Sequence, residues 1–147
     1  MNKVILDANF IVAIIDEKDA SHKKASHIKI ELSQINPKLI FLDCVINEVV
    51  SVFVKRLSER KQIDLLSEHI RKLNDLIPKE KITWTYPEIE DYYESIIQMV
   101  EKSKGRLNFH DAFIVLLAND YEIRHIVSFD KGFDETGLKR IKDAGDI

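Results

Sequence analysis

The sequence has few of the residues that staple small folds or build common catalytic motifs. It contains one cysteine, Cys44, so no disulfide can form within the chain, and we expect a buried thiol there. No array of cysteine and histidine has the spacing of a zinc site. With four glycines the chain has no glycine-rich phosphate loop, and no Ser-His-Asp set has a nucleophile-elbow context. These absences argue against disulfide scaffolds, zinc proteins, P-loop enzymes and serine hydrolases.

Long apolar runs are also missing. Only three apolar residues separate Lys3 from Asp7, which is too short for a signal peptide. No stretch approaches the ~20 apolar residues that span a bilayer, so we expect a cytoplasmic protein with no membrane segment. The net charge of −3 is not typical of a nucleic-acid-binding protein, but local basic patches matter more than the sum. The 147 residues favour a single domain, residues 1–147.

Short apolar runs alternate with segments of helical periodicity. Asp43 is placed to cap one of these helices, and Asn108 is placed to cap another. The alternation predicts an α/β fold, with a mainly parallel sheet of four to five strands and helices on both faces. The predicted strands are residues 4–6, 39–42, 81–85 and 124–129, with a short fifth at 138–141; the predicted helices are 9–15, 21–33, one from Asp43 through Phe53, 63–77, one from Pro87 to Gly105, and one after Asn108.

Four acidic residues stand at the edges of otherwise apolar segments: Asp7, Glu48, Asp111 and Asp130. Asp7 and Asp130 follow predicted strands, and Glu48 and Asp111 lie near the starts of helices. In a parallel sheet these positions meet at the carboxyl edge, where ligands bind. Gathered there, the carboxylates would repel one another by several kcal/mol per close pair at an effective dielectric of ~20. A divalent metal would remove that repulsion, so the pattern predicts a metal-dependent site for cutting phosphodiester bonds.

Most of these residues also have ordinary structural explanations. Asp7 suits a helix N-cap, as does Asn9, and Asn108-x-x-Asp111 resembles a capping box. Asp130 could be a plain turn aspartate, which Ser128 could orient. Glu48 is harder to explain, because its helix is apolar over much of its circumference and a buried glutamate needs a partner. We interpret His110 as a surface or packing residue.

Four segments together resemble the PIN-domain family, including the VapC-like toxin ribonucleases. They are residues 4–9, the helix at 47–49, residues 107–112 and residues 126–130. The resemblance implies a three-layer α/β/α sandwich and an RNA-cleaving site. It implies Mg²⁺ or Mn²⁺ at Asp7, Glu48, Asp111 and Asp130, with Asn9 and Ser128 in support. It also implies a homodimer and an antitoxin partner. Two aspartates compete for the fourth position; we favour Asp130, which directly follows its strand, and hold Asp134 in reserve.

Two other functions are compatible with these residues. One is a PIN-like module that binds RNA or protein without catalysis, which the complete acidic set disfavours. The other is a phosphatase with a nucleophilic aspartate, although such enzymes favour a second aspartate where this chain has Asn9. The sequence names neither the RNA target nor the number of metals; between Asp111 and Glu48 it does not choose a general base.

Overall fold

The computed structural model describes all 147 residues and shows helices alternating with short strands. Short 3₁₀ turns connect several of these elements, including residues 63–65, 86–88 and 131–135. The strands are β1 (Lys3–Leu6), β2 (Lys38–Leu42), β3 (Ile82–Thr83), β4 (His125–Val127) and β5 (Lys139–Ile141); the helices are α1 (Ala8–Ile15), α2 (His22–Ile35), α3 (Asp43–Glu59), α4 (Leu66–Leu76), α5 (Ile89–Lys102) and α6 (Phe109–Asp120).

The five strands form one parallel sheet in the order β3-β2-β1-β4-β5. Strand β1 is central, and Ile5 is paired with Ile40 on one side and with Ile126 on the other. The chain builds β1 to β3 outward in one direction and then returns to place β4 on the opposite side of β1. The reversal makes the carboxyl edge between β1 and β4 a topological switch point.

The strands are apolar on both faces because helices cover both sides of the sheet. Val4 and Ile5 are fully buried, as are Ile126 and Val127 in the neighbouring strand. The buried core also includes Cys44, which has no exposed surface. This five-stranded sheet flanked by six helices confirms the predicted α/β/α sandwich. None of the helices combines the length and the apolar character that crossing a bilayer requires.

Several element boundaries differ from the sequence prediction. Helix α2 runs two residues further than predicted, to Ile35, and Asn36 closes it in the left-handed conformation at φ 47°. Asp43 does not cap α3 from outside but is its first residue, with Leu42 at the cap position. Its carboxylate accepts hydrogen bonds from the N–H groups of Thr85 and Tyr86. These bonds take the chain out of the sheet after Thr83, so β3 is two residues long instead of the predicted five.

The far ends of α1 and α3 are joined by ion pairs. Asp16 follows α1 directly and is buried, and Arg60 donates from Nη1 to both of its carboxylate oxygens at 3.0 and 2.8 Å. Arg56 pairs with Asp19 nearby. A buried carboxylate needs such a partner. The pairing fixes the two helices whose opposite ends lie near Asp7 and Glu48.

Candidate active site

Asp7 is the most constrained residue at the carboxyl edge of the sheet. It directly follows β1 and caps α1, with Oδ1 accepting the Ala8 N–H at 2.7 Å. Its Oδ2 accepts a hydrogen bond from Asn9 Nδ2 at 2.7 Å and another from Ser128 Oγ at 2.5 Å. Only 4% of the residue is exposed. Asp7 therefore has the predicted cap role, and its second oxygen is held by two side chains at the same time.

Ser128 and Asn9 bind the end of β4 to this aspartate. Ser128 is fully buried, and its Oγ accepts the N–H of Asp130 at 2.9 Å. Asn9 donates to Ser128 Oγ at 3.2 Å and accepts the N–H of Phe129 through Oδ1 at 3.0 Å. Both predicted supporting residues thus contact Asp7 and the segment that leads to Asp130. Every polar atom buried in this network has a hydrogen-bond partner.

Asp111 and Asp130 occupy capping positions at the same edge. Asp111 forms the predicted capping box at the start of α6, since its Oδ2 accepts the Asn108 N–H at 3.1 Å and its own N–H binds Asn108 Oδ1 at 2.9 Å. Asp130 caps the turn at residues 131–135, with Oδ1 accepting the Gly132 N–H at 2.7 Å. Asp111 is buried and Asp130 is exposed. The structural roles are real, but in each residue they engage one carboxylate oxygen.

The pKa values show that the carboxylates are neighbours. The pKa of Asp7 is raised to about 7: burial is the main cause, the charges of Glu48 and Asp111 add to it, and the hydrogen bonds from Ser128 and Ala8 oppose it. The pKa of Glu48 is raised by burial first, and then by Asp111 and Asp130. The pKa of Asp111 is raised by burial and by Asp130. Every pair among the four residues except Asp7 with Asp130 is close enough for mutual repulsion.

The four predicted site residues therefore converge at one edge of the sheet. No three acidic, histidine or cysteine side chains are placed so that they could hold a metal ion as they stand. The donor chemistry nonetheless fits Mg²⁺ or Mn²⁺, which prefer carboxylate oxygens. Glu48 is partly exposed and Asp130 is exposed, so solvent reaches both side chains. We take the burial and mutual repulsion as the observations that favour a cation.

Arg140 forms an ion pair with only one of the two aspartates that compete for the fourth position. Its guanidinium binds Asp134 with Nε at 2.6 Å and Nη2 at 2.9 Å, and it also donates to the Ser128 carbonyl at 3.3 Å. This ion pair lowers the pKa of Asp134. Asp130, in contrast, acts on the pKa of both Glu48 and Asp111. These charge interactions favour Asp130, which stays a prediction as the fourth residue of the site.

His110 is closer to the cluster than its interpretation as a surface or packing residue implies. It is half-buried and its ring meets Phe109 edge-on, with centroids 6.0 Å apart, so it does pack. Its charge also lowers the pKa of Glu48 and of Asp111. The adjacency of His110 to Asp111 in the sequence was the available signal. A protonated His110 would therefore favour ionised carboxylates at this edge.

The fold and this acidic edge define the class of protein: an α/β/α sandwich with a carboxylate cluster at the topological switch point. The PIN domain family model matches residues 4–139. The chain therefore belongs to the PIN domain family, as its four motif segments predicted.

Comparison with other proteins adds a structural relative. The fold is similar to the crystal structure of VapC20 from Mycobacterium tuberculosis, a toxin described as cleaving the sarcin–ricin loop. The TM-score is 0.62 at 17% sequence identity, with 92% of this chain and 95% of that chain covered. None of the curated proteins matches this sequence. At this identity the likeness shows a shared fold.

Proposed function

We propose that the protein is a metal-dependent endoribonuclease that hydrolyses RNA phosphodiester bonds at the carboxylate cluster. Membership of the PIN domain family and the fold shared with a VapC toxin support a nuclease in general. The observation that carries the proposal for this chain is the convergence of Asp7, Glu48 and Asp111, whose pKa values are all raised. Capping accounts for one oxygen of Asp7 and one of Asp111, but gathering the charges costs stability through burial and mutual repulsion.

Asp7, Glu48, Asp111 and Asp130 would hold Mg²⁺ or Mn²⁺ between them. The bound ion would polarise the phosphate and lower the pKa of an attacking water. The chain's own residues fix the geometry: Asn9 and Ser128 orient Oδ2 of Asp7, and the Asn108 N–H fixes Oδ2 of Asp111. Glu48 and Asp111 are the carboxylates that we propose as acceptors of the proton of that water, and the structure favours neither.

The direct test is cleavage of RNA by the purified protein, with and without Mg²⁺ or Mn²⁺. Asp7→Asn keeps the shape of the side chain but removes its charge, and we expect it to lose most of the activity. Asp64→Asn is the matched control, because it makes the same change at an exposed aspartate. If Asp7→Asn cleaves RNA as fast as wild type with metal supplied, the assignment is wrong.

Two measurements separate this function from its alternatives. Calorimetry with Mn²⁺ should show binding that Asp7→Asn weakens, whereas a non-catalytic module need not bind the ion. A phosphatase with a nucleophilic aspartate would form a covalent phosphate on Asp7, which trapping and mass spectrometry would detect. The antitoxin partner and the homodimer stay predictions of the family resemblance.

A further inference from the structure

The chain's single tryptophan lies at the surface, where the chain leaves the edge strand β3 at the carboxyl edge of the sheet. Trp84 directly follows β3 and is 54% exposed, although the aromatic rings of Phe53, Phe113 and Phe133 are fully buried. Leaving a large apolar side chain in water forgoes the free energy that its burial would contribute. Scattered exposed apolar residues are common, so exposure alone assigns no role to Trp84. Two features distinguish Trp84: the hydrogen bonds that fix the backbone on either side of it, and the contact of its segment with helix α3.

A buried carboxylate fixes the backbone on the C-terminal side of Trp84. Oδ2 of Asp43 accepts the N–H of Thr85 at 2.6 Å and the N–H of Tyr86 at 2.8 Å. Oδ1 of Asp43 accepts the Thr85 hydroxyl at 2.5 Å. Thr85 is fully buried, and Asp43 is 3% exposed. On the other side, Thr83 is held in the sheet by its pairing with Leu42. An exposed tryptophan therefore stands on a rigid section of chain.

This section lies against the helix that carries Glu48. Asp43 is the first residue of α3, and Glu48 follows five residues later on the same helix. The hydroxyl of Tyr86 accepts a hydrogen bond from Asn47 Nδ2 at 2.9 Å, and Asn47 directly precedes Glu48. Tyr86 is itself partly exposed. We call Trp84 and Tyr86 the aromatic edge; it lies on the β3 side of the helix that carries Glu48.

We propose that the aromatic edge stacks an unpaired base of the RNA next to the phosphodiester bond that is cut; this inference depends on the proposed nuclease function. Aromatic side chains stack bases of any sequence because every base has a π-face. Bases within a duplex are already stacked, so the aromatic edge selects single-stranded RNA, including loops and ends. A fixed aromatic loses little conformational entropy when it binds, which favours a preformed surface. The carboxylates themselves do not distinguish single-stranded from double-stranded RNA.

Intrinsic fluorescence tests the contact directly, because all tryptophan emission comes from Trp84. Wild type is mixed with a single-stranded oligoadenylate in Mg²⁺, and emission is read in a stopped-flow instrument before cleavage. We expect saturable quenching by the single strand and much weaker quenching by a duplex of the same length. Inorganic polyphosphate tests charge alone and should not quench. Equal quenching by polyphosphate, or by the duplex, would overturn the proposal.

Substitutions separate base stacking from other uses of the surface. Trp84→Ala and Trp84→Leu should raise the KM for a single-stranded substrate by ~5- to 150-fold, the range given by the loss of one stacked base. Trp84→Phe keeps an aromatic face and should retain most of the affinity, as should Tyr86→Phe. In all four variants kcat at saturating RNA should stay close to wild type, because the carboxylates are untouched. Thermal melts confirm that each variant folds.

Three results would contradict the stacking assignment. A Trp84→Leu variant as good as wild type would show an apolar docking surface, and a change of oligomeric state in Trp84→Ala would show self-association. If the KM is unchanged in every Trp84 variant while cleavage still depends on metal, the stacking role of the aromatic edge is refuted and the nuclease function is retained. A wild-type protein that cleaves no RNA in any metal would refute the nuclease instead, and quenching by RNA would still test the stacking separately.

Discussion

The raised pKa of Asp7 predicts that Asp7→Asn changes the stability of the metal-free protein with a sign that depends on pH. Burial is the largest cause of the shift from 3.8 to about 7. In the unfolded chain Asp7 ionises near pH 4, whereas the folded chain holds the proton to about pH 7. The folded state therefore loses stability as the pH rises through this window, and above pH 7 the loss is complete. Three pKa units correspond to about 4 kcal/mol.

The substitution also has a cost that does not depend on pH. Asp7 accepts hydrogen bonds from Ala8, Asn9 and Ser128, and an asparagine cannot accept all three. The lost bond costs about 1–3 kcal/mol. At pH 8 the variant should thus be more stable than wild type by roughly 1–3 kcal/mol, and near pH 4 it should be less stable by a similar amount. The two stability curves should cross between these values.

Urea unfolding of both proteins in EDTA at a series of pH values measures the difference in their free energies of unfolding. The contributions of the other titrating groups are nearly the same in both proteins and largely cancel in this difference. Each kcal/mol corresponds to about 2–4 °C in a thermal melt for a chain of this size. Added Mn²⁺ should stabilise wild type by mass action and have little effect on the variant. A variant that is less stable at every pH would mean that capping and hydrogen bonding outweigh the burial cost, and that the ionised Asp7 needs no cation.

Four further outcomes follow from single contacts. Asp130→Asn should lower RNA cleavage strongly while Asp134→Asn has a small effect, because Asp134 is held by Arg140; equal effects in a rate assay would contradict this choice. Ser128→Ala should weaken Mn²⁺ binding by calorimetry ~10- to 100-fold, since it removes a support of Asp7. Gly132→Ala should cost about 1–3 kcal/mol in urea unfolding, because its Cβ would stand 2.8 Å from the Arg106 carbonyl oxygen. Asp16→Ala should destabilise the fold by a few kcal/mol, as it leaves Arg60 unpaired.

The sequence predicts the central strands well because each is a continuous apolar run flanked by polar residues. β1 and β4 are buried on both faces, and only a parallel sheet under two helical layers accommodates such runs. The predicted strand at 81–85 is present but shortened to Ile82–Thr83, because Thr85 binds the Asp43 carboxylate rather than the sheet. The contact joins residues 42 positions apart. Local periodicity contains no information about a partner at that distance.

In the candidate site, too, the positions of the residues were predictable from the sequence and their side-chain contacts were not. Convergence of Asp7 with Glu48 and Asp111 followed from the rule that parallel strands end at one edge, and the structure brings them together. The sequence left Asp130 and Asp134 in competition, because the deciding residue is Arg140 on β5. The family resemblance implied that Ser128 supports the site, but it did not identify the bond from the Ser128 hydroxyl to Asp7, 121 residues away. These contacts between side chains depend on side-chain geometry, whereas the sequence predicts only that the backbone brings the residues to one edge of the sheet.

Burial of Cys44 has a practical value for spectroscopy. Burial raises the pKa of its thiol to about 12, so almost no reactive thiolate exists at neutral pH, and no solvent reaches the sulfur in the folded chain. Maleimide dyes should therefore not react with Cys44 in the folded protein. A cysteine introduced anywhere on the surface would be the sole attachment point, with no need to delete the original one. Together with the emission of one tryptophan, that gives a donor–acceptor pair for measuring distances within the folded protein.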